Sequence, residues 1–159
     1  MSPHKRRCSE LSPNMEDYLE TIFLQDRNGQ TAKVKNIADA MGVSKPSVTE
    51  ALSVLQDRGL VSHQKYGDIE LTERGRQTAM RIYSRHKLFF ELLRDIFGVS
   101  EEIAEDDACK VEHIVSEETA VNLREFLRFV VEQRENNGPY AGFVPEFQKR
   151  LQARSTGVR

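Results

Sequence analysis

Between residues 14 and 75 the chain reads as three short amphipathic helices followed at once by a hairpin, and this order restricts the fold more than any single residue does. Met15, Tyr18, Leu19, Ile22 and Phe23 stand at helical spacing behind Asn14, which is expected to cap the first helix. The run Asp26 to Gln30 contains Asn28-Gly29 and reads as a turn. Val34 to Met41 then forms a second amphipathic helix, closed by Gly42. Ser44 is expected to cap a third helix, Pro46 is tolerated in its first turn, and Val48, Ala51, Leu52 and Leu55 make its apolar stripe before Gly59. Leu60 to Tyr66 and Ile69 to Thr72 alternate on either side of Gly67-Asp68, which predicts a hairpin with a two-residue turn. Helix, turn, capped helix and hairpin together spell a winged helix-turn-helix, whose second helix of the pair enters the DNA major groove.

The residues that such a helix would offer to DNA are small or polar. Ser44, Lys45, Pro46, Ser47, Thr49 and Glu50 lie off the apolar stripe near its start. Ser47 and Thr49 suit phosphate or a base edge, Glu50 suits the cytosine amino group, and Pro46 suits a thymine methyl. Lys45 and, in the wing, Lys65 suit phosphate. The same residues would also serve as the solvated surface of a protein-binding winged helix.

The second half is helical by pattern. Thr72-Glu73-Arg74-Gly75 opens a long helix through Ile82, Tyr83, Leu88, Phe89, Leu92 and Leu93 to about Phe97, ended by Gly98. Ser100 starts another to about Val115, and Ser116-Glu117-Glu118 a third to about Gln133, with carboxylates at its positive end. Asn136 to Pro139 breaks it, leaving a short amphipathic piece, Val144 to Leu151, and a polar tail. The expected fold class is mostly α. A polar tail (1–13) precedes a winged helix-turn-helix domain with a small hairpin wing (14–75), an all-helical domain (76–135) and a C-terminal extension (136–159).

Charge is segregated although the net charge is only -2: Glu101 to Glu118 is acidic, whereas Lys33, Lys35, Lys45, Arg58 and Lys65 lie in the first half. No apolar run reaches the roughly 18 residues of a membrane span, so a cytoplasmic protein is expected. Cys8 and Cys109 are too far apart in kind and in sequence to suggest a disulfide framework.

Within the acidic stretch, Cys109, Glu112 and His113 stand at i, i+3 and i+4 of the expected helix, which puts thiolate, carboxylate and imidazole within reach of one ion. Glu105 joins that face one turn earlier, beside the separate apolar stripe of Ala104, Ala108, Val111 and Val115. Asp17 and Glu20 on the first helix and His86 on the connector are further candidates. The alternatives are a structural cysteine beside a surface Glu and His, and a redox sensor in which His113 favours the Cys109 thiolate. A metal-dependent hydrolase is a third, disfavoured because the chain has neither a Gly-rich phosphate loop nor a His-Glu-x-x-His motif.

Taken together, these residues resemble the diphtheria-toxin-repressor family of metal-dependent regulators, which includes iron-dependent repressors and manganese transport regulators. The resemblance runs from Pro13 to Gln133 and rests on Met15-Glu16-Asp17-Tyr18-Leu19-Glu20-Thr21-Ile22, the helix pair from Ile37 to Thr49, Leu71-Thr72-Glu73-Arg74-Gly75, Tyr83-Ser84-Arg85-His86 and Ala108 to His113. It implies a non-enzymatic homodimeric repressor of metal-uptake genes, in which metal links the first helix to the dimerisation domain and so spaces two DNA-reading heads on a palindromic operator. It also implies that Asp17, Cys109, Glu112 and His113 form one metal site, with Glu20 and His86 around a neighbouring one. Asp17 and Glu20 match the manganese-type pattern and Cys109 the iron-type. The softer thiolate favours ferrous iron, with manganese next. Glu105 stands where the iron type has a second histidine, and Phe90 stands where it has an ancillary carboxylate, so the second site is altered or absent. The length implies the two-domain type, without an SH3-like third domain.

Overall fold

The computed structural model describes residues 11–63 and 68–156, and these divide into two compact units between Tyr83 and Ser84. Helix α1 (Pro13–Arg27) opens the first unit. Its N-cap is Ser12, not Asn14: Ser12 is extended, and its carbonyl accepts from the Met15 and Glu16 amides at 2.9 and 3.0 Å. Pro13 explains the earlier start, because its fixed φ suits the first helical position, where no amide proton is needed. Tyr18, Leu19, Ile22 and Phe23 are buried as the stripe predicts.

Helix α2 (Val34–Met41) ends at Gly42, whose φ of 65° is the left-handed value that favours glycine. Helix α3 (Lys45–Asp57) is capped by Ser44, whose Oγ accepts from the Ser47 amide at 3.3 Å. Ile37 from α2 and Val48, Leu52 and Leu55 from α3 close over α1 with at most 1% of their surface exposed.

Strands β1 (Val61–His63) and β2 (Ile69–Leu71) form the antiparallel wing, in the register Val61↔Leu71, Ser62↔Glu70 and His63↔Ile69. This corrects the expected two-residue turn, which would set Ile69 opposite Tyr66. Val61 and Ile69 are both buried, while Ser62 and Glu70 are exposed. Pairing Tyr66 with Ile69 would shift the ladder by an odd number of residues and turn Val61 to solvent, so burial selects the observed register. Positions 64–67, including Lys65 and Gly67, lie outside the described residues. Ile69 is also tied from its amide to the Ala32 carbonyl, 3.0 Å away.

Helix α4 (Glu73–Glu91) begins against the wing, and its Ala79 and Ile82 complete the first core. It crosses the boundary between the units and runs into a π-helical turn (Leu92–Ile96) that the apolar periodicity did not foretell, and Gly98, at φ 65°, ends it. Helix α5 (Glu101–Val111) stops four residues before the expected Val115. Ser116 is the extended N-cap of helix α6 (Glu117–Glu135), so residues 112–115 must turn to reach it. Helix α7 (Phe143–Thr156) is longer than the expected amphipathic piece and takes in the polar tail as far as Thr156. It is anchored by Phe147 edge-on to Phe97 at 6.0 Å and by Gln148 Nε2 donating to the Asp95 carbonyl at 2.9 Å. Among the described residues no helix is long and apolar enough to cross a membrane.

Candidate functional site

In α5, Ala104 and Ala108 are fully buried, which fixes the rotation of the helix and places Glu105, Cys109 and Glu112 along its neighbouring flank. Glu112 closes the helix and His113 follows in the turn. From α4, His86 meets this flank: its Nδ1 lies 2.9 Å from Glu112 Oε2 and its Nε2 3.2 Å from Glu105 Oε1. His113 Nε2 is 3.5 Å from Glu112 Oε1, and Cys109 Sγ and a ring nitrogen of His113 lie within 4.8 Å of each other. The second unit therefore brings five of the expected ligands together: His86, Glu105, Cys109, Glu112 and His113.

Two features of this cluster call for positive charge. Glu112 is only 1% exposed, and its Oε1 is buried without a hydrogen bond, a costly state for a carboxylate. His86 faces a carboxylate with each ring nitrogen, yet a neutral imidazole can donate from only one of them. A divalent ion held by carboxylate, thiolate and imidazole relieves both, and this donor set suits a first-row transition metal.

Asp17 and Glu20, one turn apart and half-buried on α1, belong to the other compact unit. The Asp17 carbonyl accepts from Thr21 Oγ1 at 2.8 Å. Cys109 is exposed, and Cys8 lies outside the described residues.

Sequence reasoning noted Phe90 only as a departure from a pattern and missed Arg94. The Phe90 ring lies nearly parallel to His86 (12°, centroids 6.4 Å apart), and the Arg94 guanidinium sits 4.6 Å from the Phe90 centroid. The steps of four residues from His86 to Phe90 to Arg94 were the available signal.

On α3, Ser44, Lys45, Pro46, Ser47, Thr49 and Glu50 are all exposed around the buried Val48, so the polar start of the helix faces outward as expected. The hydroxyls are partly committed. Ser44 and Ser47 share a hydrogen bond of 2.8 Å, and Thr49 Oγ1 donates to the Lys45 carbonyl at 3.0 Å. Lys65 lies outside the described residues.

Residues 10–69 match the family described as iron dependent repressor, N-terminal DNA binding domain, and residues 72–137 match iron dependent repressor, metal binding and dimerisation domain. The transcriptional regulator MntR of Lysinibacillus sphaericus is 31% identical over 145 residues, covering 91% of this chain and 96% of that protein. The iron-dependent repressor IdeR of Mycobacterium bovis is 34% identical over 110 residues, covering 69% of this chain and 48% of that one. Among solved structures, the manganese regulator SloR aligns with a TM-score of 0.66 at 30% identity, over 75% of this chain and 55% of that chain. The chain thus spans nearly all of MntR but about half the length of IdeR and SloR.

Proposed function

The chain belongs to the iron-dependent repressor family of metal-dependent transcriptional regulators, and from that premise we propose that it is a homodimeric repressor of metal homeostasis, activated by ferrous iron and next by manganese. The observation that carries the metal reading is the buried Glu112 carboxylate, with one oxygen bare of hydrogen bonds amid His86, His113 and Cys109. Glu112, His113, Cys109, His86 and Glu105 are the proposed ligands from the second unit. Asp17 and Glu20 are proposed ligands on the strength of their spacing and the family resemblance. A bound divalent ion supplies the positive charge this cluster lacks. The Cys109 thiolate tilts preference toward iron over manganese, the metal named for SloR, and IdeR is by name iron-dependent.

DNA is read by the exposed start of α3. Lys45 and Lys65 bind phosphate; Ser44, Ser47 and Thr49 bond phosphate or base edges, Glu50 accepts from cytosine, and Pro46 contacts a thymine methyl. Metal and a palindromic operator favour the same state of the dimer, so each tightens binding of the other. The relatives are transcriptional regulators, and no catalytic role is proposed.

The test is anaerobic DNA binding at fixed salt, on a duplex selected from a random pool by the metal-loaded chain, titrated with iron and then manganese. Tightening by metal in the wild type, lost in Glu112→Ala and His113→Ala with their folds intact, is the expected result. Equally tight binding without metal would point instead to redox control through Cys109. Unchanged metal dependence in both variants would remove the ligand assignment.

A further inference from the structure

We propose that Phe90 is a positioning residue for His86, stacked on the imidazole and itself held by Arg94; the inference rests on His86 being a metal ligand. Ligation requires the imidazole lone pair, which lies in the ring plane, so a few degrees of tilt move it off the ion. In the plane, the two nitrogens of His86 are directed by Glu105 and Glu112. Out of the plane, Phe90 lies nearly parallel to the ring at a separation typical of offset aromatic stacking. Together the carboxylates and Phe90 hold the ring both in its plane and against tilting.

Phe90 is itself held. The Arg94 guanidinium lies 4.6 Å from its centroid, an attractive cation–π arrangement. Arg94 in turn donates to both carboxylate oxygens of Asp95, from Nε at 2.7 Å and Nη2 at 3.0 Å. Both residues sit in the π-helical turn, where the Phe97 amide bonds back to Leu92 at 3.1 Å, five residues away. The Asp95 carbonyl accepts from Gln148 of α7, which steadies the turn from the C-terminal helix. Stacking, cation–π contact, ion pair and helix anchor thus run without a gap from α7 to His86.

The test uses the full chain and Co(II), whose ligand-field bands report the geometry of the imidazole at the ion. Phe90→Ala is expected to weaken Co(II) binding about tenfold, the loss typical when a residue that orients a ligand is removed. It should also shift those bands, while far-UV circular dichroism of the metal-free protein stays that of the folded wild type. Phe90→Tyr, which keeps the stack, is expected to restore both affinity and spectrum. In a His86→Ala background, Phe90→Ala is expected to have no further effect. Additive losses in that cycle, failure of Phe90→Tyr to restore binding, or wild-type affinity and spectrum in Phe90→Ala would each overturn the inference alone. A wild-type chain that binds no Co(II) would overturn the metal reading beneath it.

Discussion

A methyl group added at Gly75 would lie 1.8 Å from the Leu60 carbonyl oxygen and 2.8 Å from its carbon, both backbone atoms that cannot rotate away. The approach is enforced by Thr72, whose hydroxyl donates to the Gly59 carbonyl at 2.8 Å and accepts from the Gly75 amide at 3.0 Å, clamping the start of α4 to the chain that enters the wing. Gly75→Ala should therefore cost at least the roughly 1–3 kcal/mol typical of overpacking, read from the urea midpoint; a variant as stable as the wild type would contradict the clamp. The motif around Gly75 was legible in the sequence, but its reason was not, because the obstructing atom belongs to a residue in another element. Glu112 poses the opposite case, a buried charge in place of a missing space. Glu112→Gln keeps the shape and removes the charge, so the metal-free protein should lose little stability. Metal at about a hundred times Kd should stabilise the wild type by about 2.7 kcal/mol, and it should stabilise this variant hardly at all. Equal thermal shifts in the two proteins would remove Glu112 from the site.

Elements were legible where the signal is local and illegible where a distant contact chooses between local options. The stripe on α1 and the Ser44 and Gly42 stops required nothing beyond neighbouring residues, and they stand where expected. The wing register could not be read this way, since its choice depends on burying Val61 and Ile69 together. Helix α7 was underestimated for the same reason: Phe147 and Gln148 find their partners around residues 95–97. The π-helical turn has no periodicity signal of its own. The early end of α5 follows from the start of α6, where Ser116 Oγ accepts from the Thr119 amide at 3.2 Å and Glu117 and Glu118 sit at the positive end of the helix. Ser116→Ala should cost about 1 kcal/mol by loss of this cap. Chemical denaturation checks the figure, and Ser116→Asp, which can also cap, should recover most of it.

For the whole molecule, the candidate site was half legible. The spacing of Cys109, Glu112 and His113 showed itself in the sequence, whereas His86 stands 26 positions before Glu112, and the family resemblance assigned the two to neighbouring sites rather than to each other. What ties such a site to DNA binding is thermodynamic and can be measured without reference to shape. If metal raises operator affinity by some factor, the operator must raise metal affinity by the same factor, because both routes to the ternary complex have equal free energy. A coupling of about 1–3 kcal/mol corresponds to roughly 5- to 150-fold. The salt dependence should separate this coupling from simple charge attraction. Lys45→Ala removes a proposed phosphate contact and should lower the slope of log affinity against log salt by about one at every metal concentration, leaving the coupling factor intact. His113→Ala should do the reverse, keeping the slope of the metal-free protein while the coupling factor falls to one. Competition between the duplex and a metal indicator, with iron, at two salt concentrations, measures both quantities in one experiment. If Lys45→Ala changed the coupling and His113→Ala the slope, the assignment of DNA contact to one residue and metal ligation to the other would have to be exchanged.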